Sequence, residues 1–187
     1  METQIKDSGN RTQFSTGAVR DIQEDKGRCD LLPLAVVSNM IEYAIGYREA
    51  KVIREIAKFM EIGDTKFLYQ SLEFFCEYQE WNLTKCLLEV SMHYKQGADK
   101  YGERNWEKGI PLHSYIDSAV RHYLKHIDGC EDERHDRAFV WNILGALWTM
   151  MYKPEMIDIP FEIIGGQNTN KRMSMEEFLE KRGEHHA

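Results

Sequence analysis

The segment from Cys130 to Arg137 carries the densest set of chemically useful side chains in this sequence. It reads Cys-Glu-Asp-Glu-Arg-His-Asp-Arg and supplies four carboxylates and one imidazole. On a helix, Asp132, His135 and Asn142 share one side, because offsets of three and seven residues fall within a narrow arc. Glu133 and Asp136 lie on the adjoining side. Mg²⁺ and Mn²⁺ take carboxylate and water oxygens, together with substrate phosphates. The segment therefore indicates a divalent metal site, or else an acidic helix start that satisfies free amides and the helix dipole.

Two other acidic residues allow the same pair of interpretations. Asp117 is a candidate ligand, but it also completes a relaxed capping box with Ser114, and Arg121 one turn later is a natural ion-pair partner. Glu89 and His93 are one turn apart on a polar helical stripe, where they form either a ligand pair or part of a solvated face.

A cationic link precedes the acidic segment. Residues 100–109 combine lysines and an arginine with two aromatic residues and two glycines. The region 84–113 has a local charge of +1, from 5 Lys+Arg and 4 Asp+Glu, whereas 117–137 has −2, from 4 and 6. A basic loop beside an acidic helix start suits a metal–phosphate ligand with an aromatic stacked on a base. The chain has no P-loop, dinucleotide-binding, GxSxG or HExxH motif.

Helices must position these residues, because apolar side chains recur at helical intervals from Leu34 onwards. Gly63, Gly129 and Pro154 mark helix ends. The short connections predict an all-α fold with an antiparallel four-helix-type core and additional packing helices. The predicted organisation is a disordered terminus over 1–13, a helical domain over 14–153 that begins with an ordered loop, and over 154–187 a C-terminal arm with a short helix.

Composition excludes several function classes. The 187 residues have a net charge of −7, which argues against a protein that coats nucleic acid or lies on a membrane surface, since both need a broad basic face. The longest apolar run, 31–37, is far shorter than a membrane span, and the polar N-terminus does not resemble a signal peptide. Four well-separated cysteines indicate reduced thiols, so we expect a cytoplasmic protein.

Five ordered strings make a more specific signal, which extends from about residue 14 to 152. They are Gly17-Ala18-Val19-Arg20-Asp21; Gly27-Arg28-Cys29-Asp30-Leu31-Leu32-Pro33; Gly97-Ala98-x-Lys100-Tyr101-Gly102-x-Arg104-Asn105-Trp106-x-x-Gly109; Ser118-x-x-Arg121-His122; and His135 through Trp141-Asn142. Together they resemble the dATP/dGTP diphosphohydrolase family of phages and prophages, which is related to the all-α MazG-like nucleotide pyrophosphohydrolases.

The resemblance implies metal-dependent hydrolysis of purine deoxynucleoside triphosphates to a monophosphate and pyrophosphate, in the cytoplasm of the host if a phage encodes the chain. It implies Mg²⁺ or Mn²⁺ as cofactor. The implied metal ligands are Glu89, Asp117, Asp132, Glu133 and Asp136, with Glu89, Glu133 and Asp136 as catalytic residues. The implied substrate-binding residues are Lys100, Arg104, Asn105, Trp106, Lys108, Arg121, His122, His135 and Asn142, of which the two histidines are second-sphere or proton-handling groups.

One departure from the family keeps another hypothesis open. An acidic residue often precedes Gly-Ala in the family, whereas Lys95 and Gln96 occupy these places here. A phage protein that sequesters a nucleotide or a nucleotide-derived defence signal without hydrolysis is the alternative, and a helical structural partner is a third. The resemblance also implies a homo-oligomer, a dimer or a tetramer, with no nucleic-acid polymer or membrane as partner.

Overall fold

Helices make up most of the chain that the computed structural model describes, which comprises residues 11–21 and 26–161. In chain order the helices of this part are α1 (Leu34–Ala44), α2 (Tyr47–Ile62), α3 (Lys66–Tyr78), α4 (Leu83–Tyr101), α5 (Leu112–Ile127) and α6 (His135–Tyr152). Short 3₁₀ turns cover Cys29–Leu31, Asn105–Lys108 and Pro154–Met156. The prediction of an all-α fold is confirmed.

Helices α5 and α6 pack closely in antiparallel directions at the centre of the fold. Tyr123, near the end of α5, lies 5.4 Å from Phe139 near the start of α6. Tyr115, near the start of α5, covers Gly145, where an added Cβ would come within 2.2 Å of the tyrosine ring. A residue larger than glycine at 145 would therefore separate the two helices. Phe75 brings α3 onto this pair, with its ring 4.5 Å from that of Phe139.

Helix α4 lies along α6 in the same direction. Glu89 contacts Arg137, and one turn further along both helices His93 contacts Trp141. The polar stripe of α4 thus faces α6 rather than open solvent. This arrangement places α4 and α5 on neighbouring sides of α6, and the two helices supply side chains to one cavity.

A small antiparallel hairpin is the element that the sequence did not indicate. Strand β1 (Arg11–Gln13) pairs with β2 (Val19–Asp21). Gly17 in the connecting turn has a φ of 81°, in the left-handed region that glycine adopts readily. The strands have three residues each and no alternating apolar pattern, so long-range contacts rather than local preference hold them. Asn105 makes two of these contacts, with both the N–H and the carbonyl of Val19.

Some helix ends lie where the sequence predicts them, and others do not. Gly63 ends α2 in the left-handed conformation, and α6 ends just before Pro154. Helix α5 begins at Leu112, so Asp117 lies inside it rather than at its cap. The predicted short C-terminal helix lies outside the described residues, and the described part of the arm, 157–161, forms no strand. None of the described helices combines the length and apolarity needed to cross a bilayer.

Candidate nucleotide and metal site

A cavity of about 540 Å³ opens between the hairpin, α4, α5 and the start of α6. Its lining is Val19, Arg20, Asp21, Lys26, His93, Gly97, Tyr101, Asn105, Ser118, Arg121, His122, Lys125, Asp132, Glu133, Trp141 and Asn142. It therefore has four basic and three acidic side chains, together with histidines, amides and aromatic rings. A volume of 300–1,000 Å³ is typical of pockets for small molecules and cofactors.

Helix α5 contributes a polar face to this cavity. Arg121 and His122 each lie three or four residues from both Ser118 and Lys125, which places the four side chains on one side of a helix. The opposite side of α5 carries buried residues such as Tyr123, which fix the helix on the core. The polar side chains are thereby held on a rigid element rather than on a loop.

Three side chains bring metal-binding atoms together at one end of the cavity. The Nδ1 atoms of His122 and His135 are 3.0 Å apart. The Oε1 atom of Glu133 is 3.3 Å from the first and 3.4 Å from the second. Among the described residues, His122, Glu133 and His135 are the histidine, cysteine and carboxylate residues whose ligand atoms lie close enough together to hold one metal ion.

The environment prepares these groups as ligands. His135 is buried, and its Nε2 lies 2.6 Å from Oδ1 of Asp132, which leaves Nδ1 facing the cluster. A carboxylate in this position is the usual partner of a metal-bound histidine. Burial lowers the pKa of His122 to about 3, so this imidazole is neutral near pH 7. Burial opposes ionisation of Glu133, but the hydrogen bond from His135 and the nearby histidines outweigh it and lower the pKa to about 2.

The donor set fits a divalent transition metal. Ligand atoms at about 2.1 Å from an ion are about 3.0 Å apart in octahedral geometry and about 3.4 Å apart in tetrahedral geometry. The measured separations of 3.0–3.4 Å cover this range. Two imidazole nitrogens and one carboxylate suit Mn²⁺ and its heavier neighbours, whereas Mg²⁺ prefers oxygen ligands throughout.

Four of the carboxylates predicted as metal ligands have other partners. Asp117 accepts the backbone N–H of Cys29 at 2.6 Å and pairs with Arg121 at 2.5 Å, as the ion-pair alternative anticipated. Asp132 hydrogen-bonds His135 and pairs with Lys125 at 3.2 Å. Only Glu133 of the five predicted ligands belongs to the donor cluster.

Glu89 and Asp136 lie in a separate charged network on the α4 side of α6. Glu89 contacts Arg137 at 2.8 Å and Arg134 at 3.2 Å. Asp136 accepts two hydrogen bonds from Arg134, at 2.6 and 3.0 Å, and one from the backbone N–H of Arg137. Burial would raise the pKa of Asp136, but these bonds lower it below its usual value. The two carboxylates are neutralised by arginines and do not line the cavity.

The residues predicted to bind substrate divide into two groups. Those that line the cavity or its metal cluster are Asn105, Arg121, His122, His135 and Asn142. Those that do not line it are Lys100, Arg104, Trp106 and Lys108. The substrate-binding roles of both groups stay predictions.

The second group has contacts elsewhere in the fold. Lys100 pairs with Asp21 at 2.7 Å and is largely covered. Arg104 is exposed and pairs with Glu107. The ring of Trp106 packs edge-on against that of Trp148, 5.0 Å away.

Several cavity residues were missed from the sequence. Arg20, Lys26, Lys125 and Trp141 line the cavity, although the sequence assigns none of them a role. His93, which the sequence offers as a possible ligand beside Glu89, lines it as well. The seven-residue spacing of Ser118 and Lys125, about two helical turns, is a signal that identifies the polar face of α5. By contrast, Trp141 shares its helical pattern with buried core residues, and only tertiary packing shows its open side.

Comparisons with known proteins agree with the position of this site. Residues 80–159 match the family model described as dATP/dGTP diphosphohydrolase, N-terminal. The matched segment contains all of α4, α5 and α6, and therefore includes the three clustered metal donors and most of the cavity lining. No curated protein and no solved structure matches the chain.

Proposed function

We propose that the chain, whose residues 80–159 match the dATP/dGTP diphosphohydrolase family model, acts as such an enzyme and hydrolyses purine deoxynucleoside triphosphates to a monophosphate and pyrophosphate with a divalent metal. The observation that carries the proposal is the cavity in which basic side chains and the His122–Glu133–His135 donors face the same space. A ligand that is both anionic and metal-binding satisfies both sets of groups, as the polyphosphate chain of a nucleotide does.

We assign the metal to His122, Glu133 and His135 and favour Mn²⁺. A divalent cation bound there would neutralise charge on the phosphate oxygens and lower the pKa of a coordinated water. Asp132 would hold the His135 ring in the tautomer that offers Nδ1 to the metal. Metal binding requires deprotonated ligands, and the low pKa values of His122 and Glu133 mean that these two carry no proton near pH 7. Burial opposes protonation of His135, but its hydrogen bonds to Glu133 and Asp132 outweigh burial and raise its pKa, so a metal would displace a proton from this ring.

The chain's own side chains would position the reactants. Arg121 and Lys125 line the cavity beside the donor cluster and supply positive charge for phosphate oxygens. The ionised carboxylate of Glu133 can accept a hydrogen bond from the attacking water and orient it. The water oxygen bonds to a phosphorus of the α–β anhydride as the bond from that phosphorus to the bridging oxygen breaks. The water's protons pass to solvent and to the product phosphates.

We assign the ring of Trp141 as the surface on which the nucleotide base stacks. It lines the cavity, whereas Trp106 packs against other rings of the fold. An indole ring offers an apolar face on which any base can stack, so its presence supports nucleotide binding without setting the base preference. Asn105 and Asn142 also line the cavity, but each is already hydrogen-bonded to protein groups, and we assign them to holding its walls.

Product analysis tests the proposal directly. The purified chain is incubated separately with dATP, dGTP, dCTP and dTTP, with Mn²⁺ or Mg²⁺, and the products are resolved by ion-exchange chromatography. We expect dAMP or dGMP with pyrophosphate, and faster turnover with Mn²⁺ than with Mg²⁺. Release of inorganic phosphate instead of pyrophosphate, or no turnover with any nucleotide and metal, would contradict the proposal.

Sequestration of a nucleotide without hydrolysis is the second candidate. It is favoured by the balance of charge in the cavity, since Asp21 and Asp132 are paired with Lys100 and Lys125 and leave basic groups to hold an anion. Tightly retained but intact nucleotide in the same experiment would support this candidate.

We further propose a homo-oligomer in the cytoplasm. Val36, Met40 and Tyr43 form an exposed apolar stripe on α1, and a second copy of the chain is the partner that we expect to cover it. All four cysteines are free in the structure, in agreement with a reducing compartment. Light scattering after gel filtration should give a multiple of 22.0 kDa, whereas a mass of one chain would contradict the oligomer.

A further inference from the structure

Arg20 is a cavity arginine whose charge no carboxylate of the described residues pairs with directly. Its guanidinium donates from Nη1 to the carbonyl of Ser114 at 2.9 Å, and from Nη2 to Oγ of Ser118 at 3.2 Å and Oδ1 of Asn142 at 2.9 Å. All three acceptors are uncharged. Three of the five N–H donors are used in this way, and the two others have no protein acceptor among the described residues.

Other covered arginines in the described ranges have carboxylate partners. Arg11 pairs with Asp21 on the same hairpin, and Arg121 pairs with Asp117. Arg134 and Arg137 share Glu89. Within residues 11–21 and 26–161, Arg20 is thus the partly buried arginine that lacks an acidic partner. Keeping a charge under cover without a counter-charge is costly, so an anion from outside would lower the free energy of this site.

The guanidinium is also held in a fixed position. It lies 5.4 Å from the ring centres of both Tyr115 and Trp141 and lines the cavity. Its three hydrogen-bond acceptors come from α5 and α6, and the residue itself comes from β2. Because rings and acceptors already restrict this side chain, little conformational entropy is lost when it binds a ligand.

We infer that Arg20 binds a phosphate group of the nucleotide and that the β1–β2 hairpin serves to carry this guanidinium into the cavity. The inference rests on the proposed function, because it takes the ligand to be a nucleoside triphosphate. Arg20 would hold the polyphosphate from the hairpin side while the His122–Glu133–His135 donors face it from the other end of the cavity. The guanidinium would offer phosphate oxygens its permanent charge and the two N–H groups that remain, one on Nε and one on Nη1.

Binding measurements on an uncleavable nucleotide test this inference apart from turnover. The probe is α,β-methylene-dGTP, in which a CH₂ group replaces the bridging oxygen, with Mn²⁺ in excess and the full-length chain in a calorimeter. Inorganic tripolyphosphate serves as a second probe because it has the phosphates without the nucleoside. We expect Arg20→Gln to weaken both probes by about 10- to 100-fold, as the loss of charge-assisted hydrogen bonds requires.

Arg11→Gln is the matched control, because Arg11 lies on the same hairpin and does not line the cavity. It should leave both affinities unchanged. Thermal melting of each variant shows whether the fold persists. If Arg20→Gln does not fold, Arg20→Lys decides the matter: it keeps the charge but not the three hydrogen bonds that fix the guanidinium in the cavity, and both probes should bind at least several-fold more weakly.

The outcomes are distinct. Unchanged binding of both probes by a folded Arg20 variant overturns the inference, and so does a loss confined to the nucleotide, since that would place the guanidinium against the nucleoside. If the unaltered chain binds tripolyphosphate through Arg20 but neither binds nor cleaves nucleotides, the proposed function fails and the phosphate site stands. If it binds neither probe, both fail.

Discussion

Two charged clusters flank the start of α6, and they differ in how their charges are balanced. On the α4 side, Glu89 and Asp136 meet Arg134 and Arg137, so each carboxylate has a permanent cation beside it. On the α5 side, Glu133 meets His122 and His135, whose nitrogens present lone pairs when neutral. The first cluster is complete as a set of ion pairs, whereas the second still offers ligand atoms to a cation.

The difference shows why acidic residues alone are poor indicators of a metal site. An arginine stays protonated at any ordinary pH, so a carboxylate beside it already has a counter-charge and its oxygens already accept hydrogen bonds. A neutral histidine beside a carboxylate adds a second ligand atom instead. The partner of each carboxylate, rather than the carboxylate itself, therefore decides which cluster can bind a metal.

The largest effect should follow from Glu133→Gln. Loss of the one anionic ligand should weaken Mn²⁺ binding by more than about 100-fold and reduce turnover at least in proportion, because it removes more than a supporting contact does. Calorimetric titration with Mn²⁺ and product analysis with dGTP measure the two effects. Thermal melting shows whether the variant stays folded, since Glu133 lies in a link outside the apolar core but is hydrogen-bonded to His135.

The control is Glu131→Gln, two residues earlier and exposed. It removes the same charge without touching the cluster, and it should bind Mn²⁺ as the unaltered chain does. Normal metal binding by Glu133→Gln would show that the α5-side cluster is not the metal site.

A smaller effect is expected from Asp132→Asn. The amide keeps the shape of the carboxylate but no longer fixes the tautomer of His135 or raises the basicity of its ring. Changes at such supporting positions typically cost about 10- to 100-fold in metal affinity or activity. Asp128→Asn, in the same link, is the control in the Mn²⁺ titration. Equal affinities for the two variants would remove Asp132 from the site.

On the α4 side, Glu89→Gln should affect stability more than activity. It leaves Arg137, which is buried, without its carboxylate, and we expect a loss of about 1–3 kcal/mol in the free energy of unfolding. Urea denaturation followed by circular dichroism measures this loss. Turnover per folded molecule should persist, because Glu89 does not line the cavity.

The sequence alone predicts the opposite result for Glu89, namely lost turnover with normal melting. Abolished turnover in a variant of unchanged stability would therefore restore Glu89 as a catalytic residue. It would also show that the arginine-paired cluster has a role beyond structure.

The helices were predictable because each depends on local patterns. Apolar residues at helical spacing and the glycines and proline at helix ends can be counted in the sequence, and Gly63 ends α2 as expected. The five ordered strings also located the region of the site. His122, Glu133, Arg121 and Asn142, all within or just before the later strings, line one cavity.

The exact partners were not predictable, because they come from distant segments. Nothing near Glu89 in the sequence shows that Arg137, 48 positions later, neutralises it. No local sequence pattern predicts the hairpin, because its strands are short and polar. They depend instead on hydrogen bonds with Asn105, which is 86 positions from Val19. Helix packing, which fixes such pairs, is not encoded in any one window of residues.

The smallest effect should come from Arg104→Gln, which tests the basic link against the cavity as the source of phosphate contacts. Arg104 was predicted to hold phosphates, but its side chain is 75% exposed and pairs with Glu107 in solvent. Exposed ion pairs contribute about 0–1 kcal/mol, so the free energy of unfolding should shift by no more than this. The KM for dGTP should stay the same, whereas Arg121→Gln, which changes an arginine in the cavity wall, should raise it. Steady-state kinetics on the two variants separates the two sources, and an increased KM for Arg104→Gln alone would place the polyphosphate on the link rather than in the cavity.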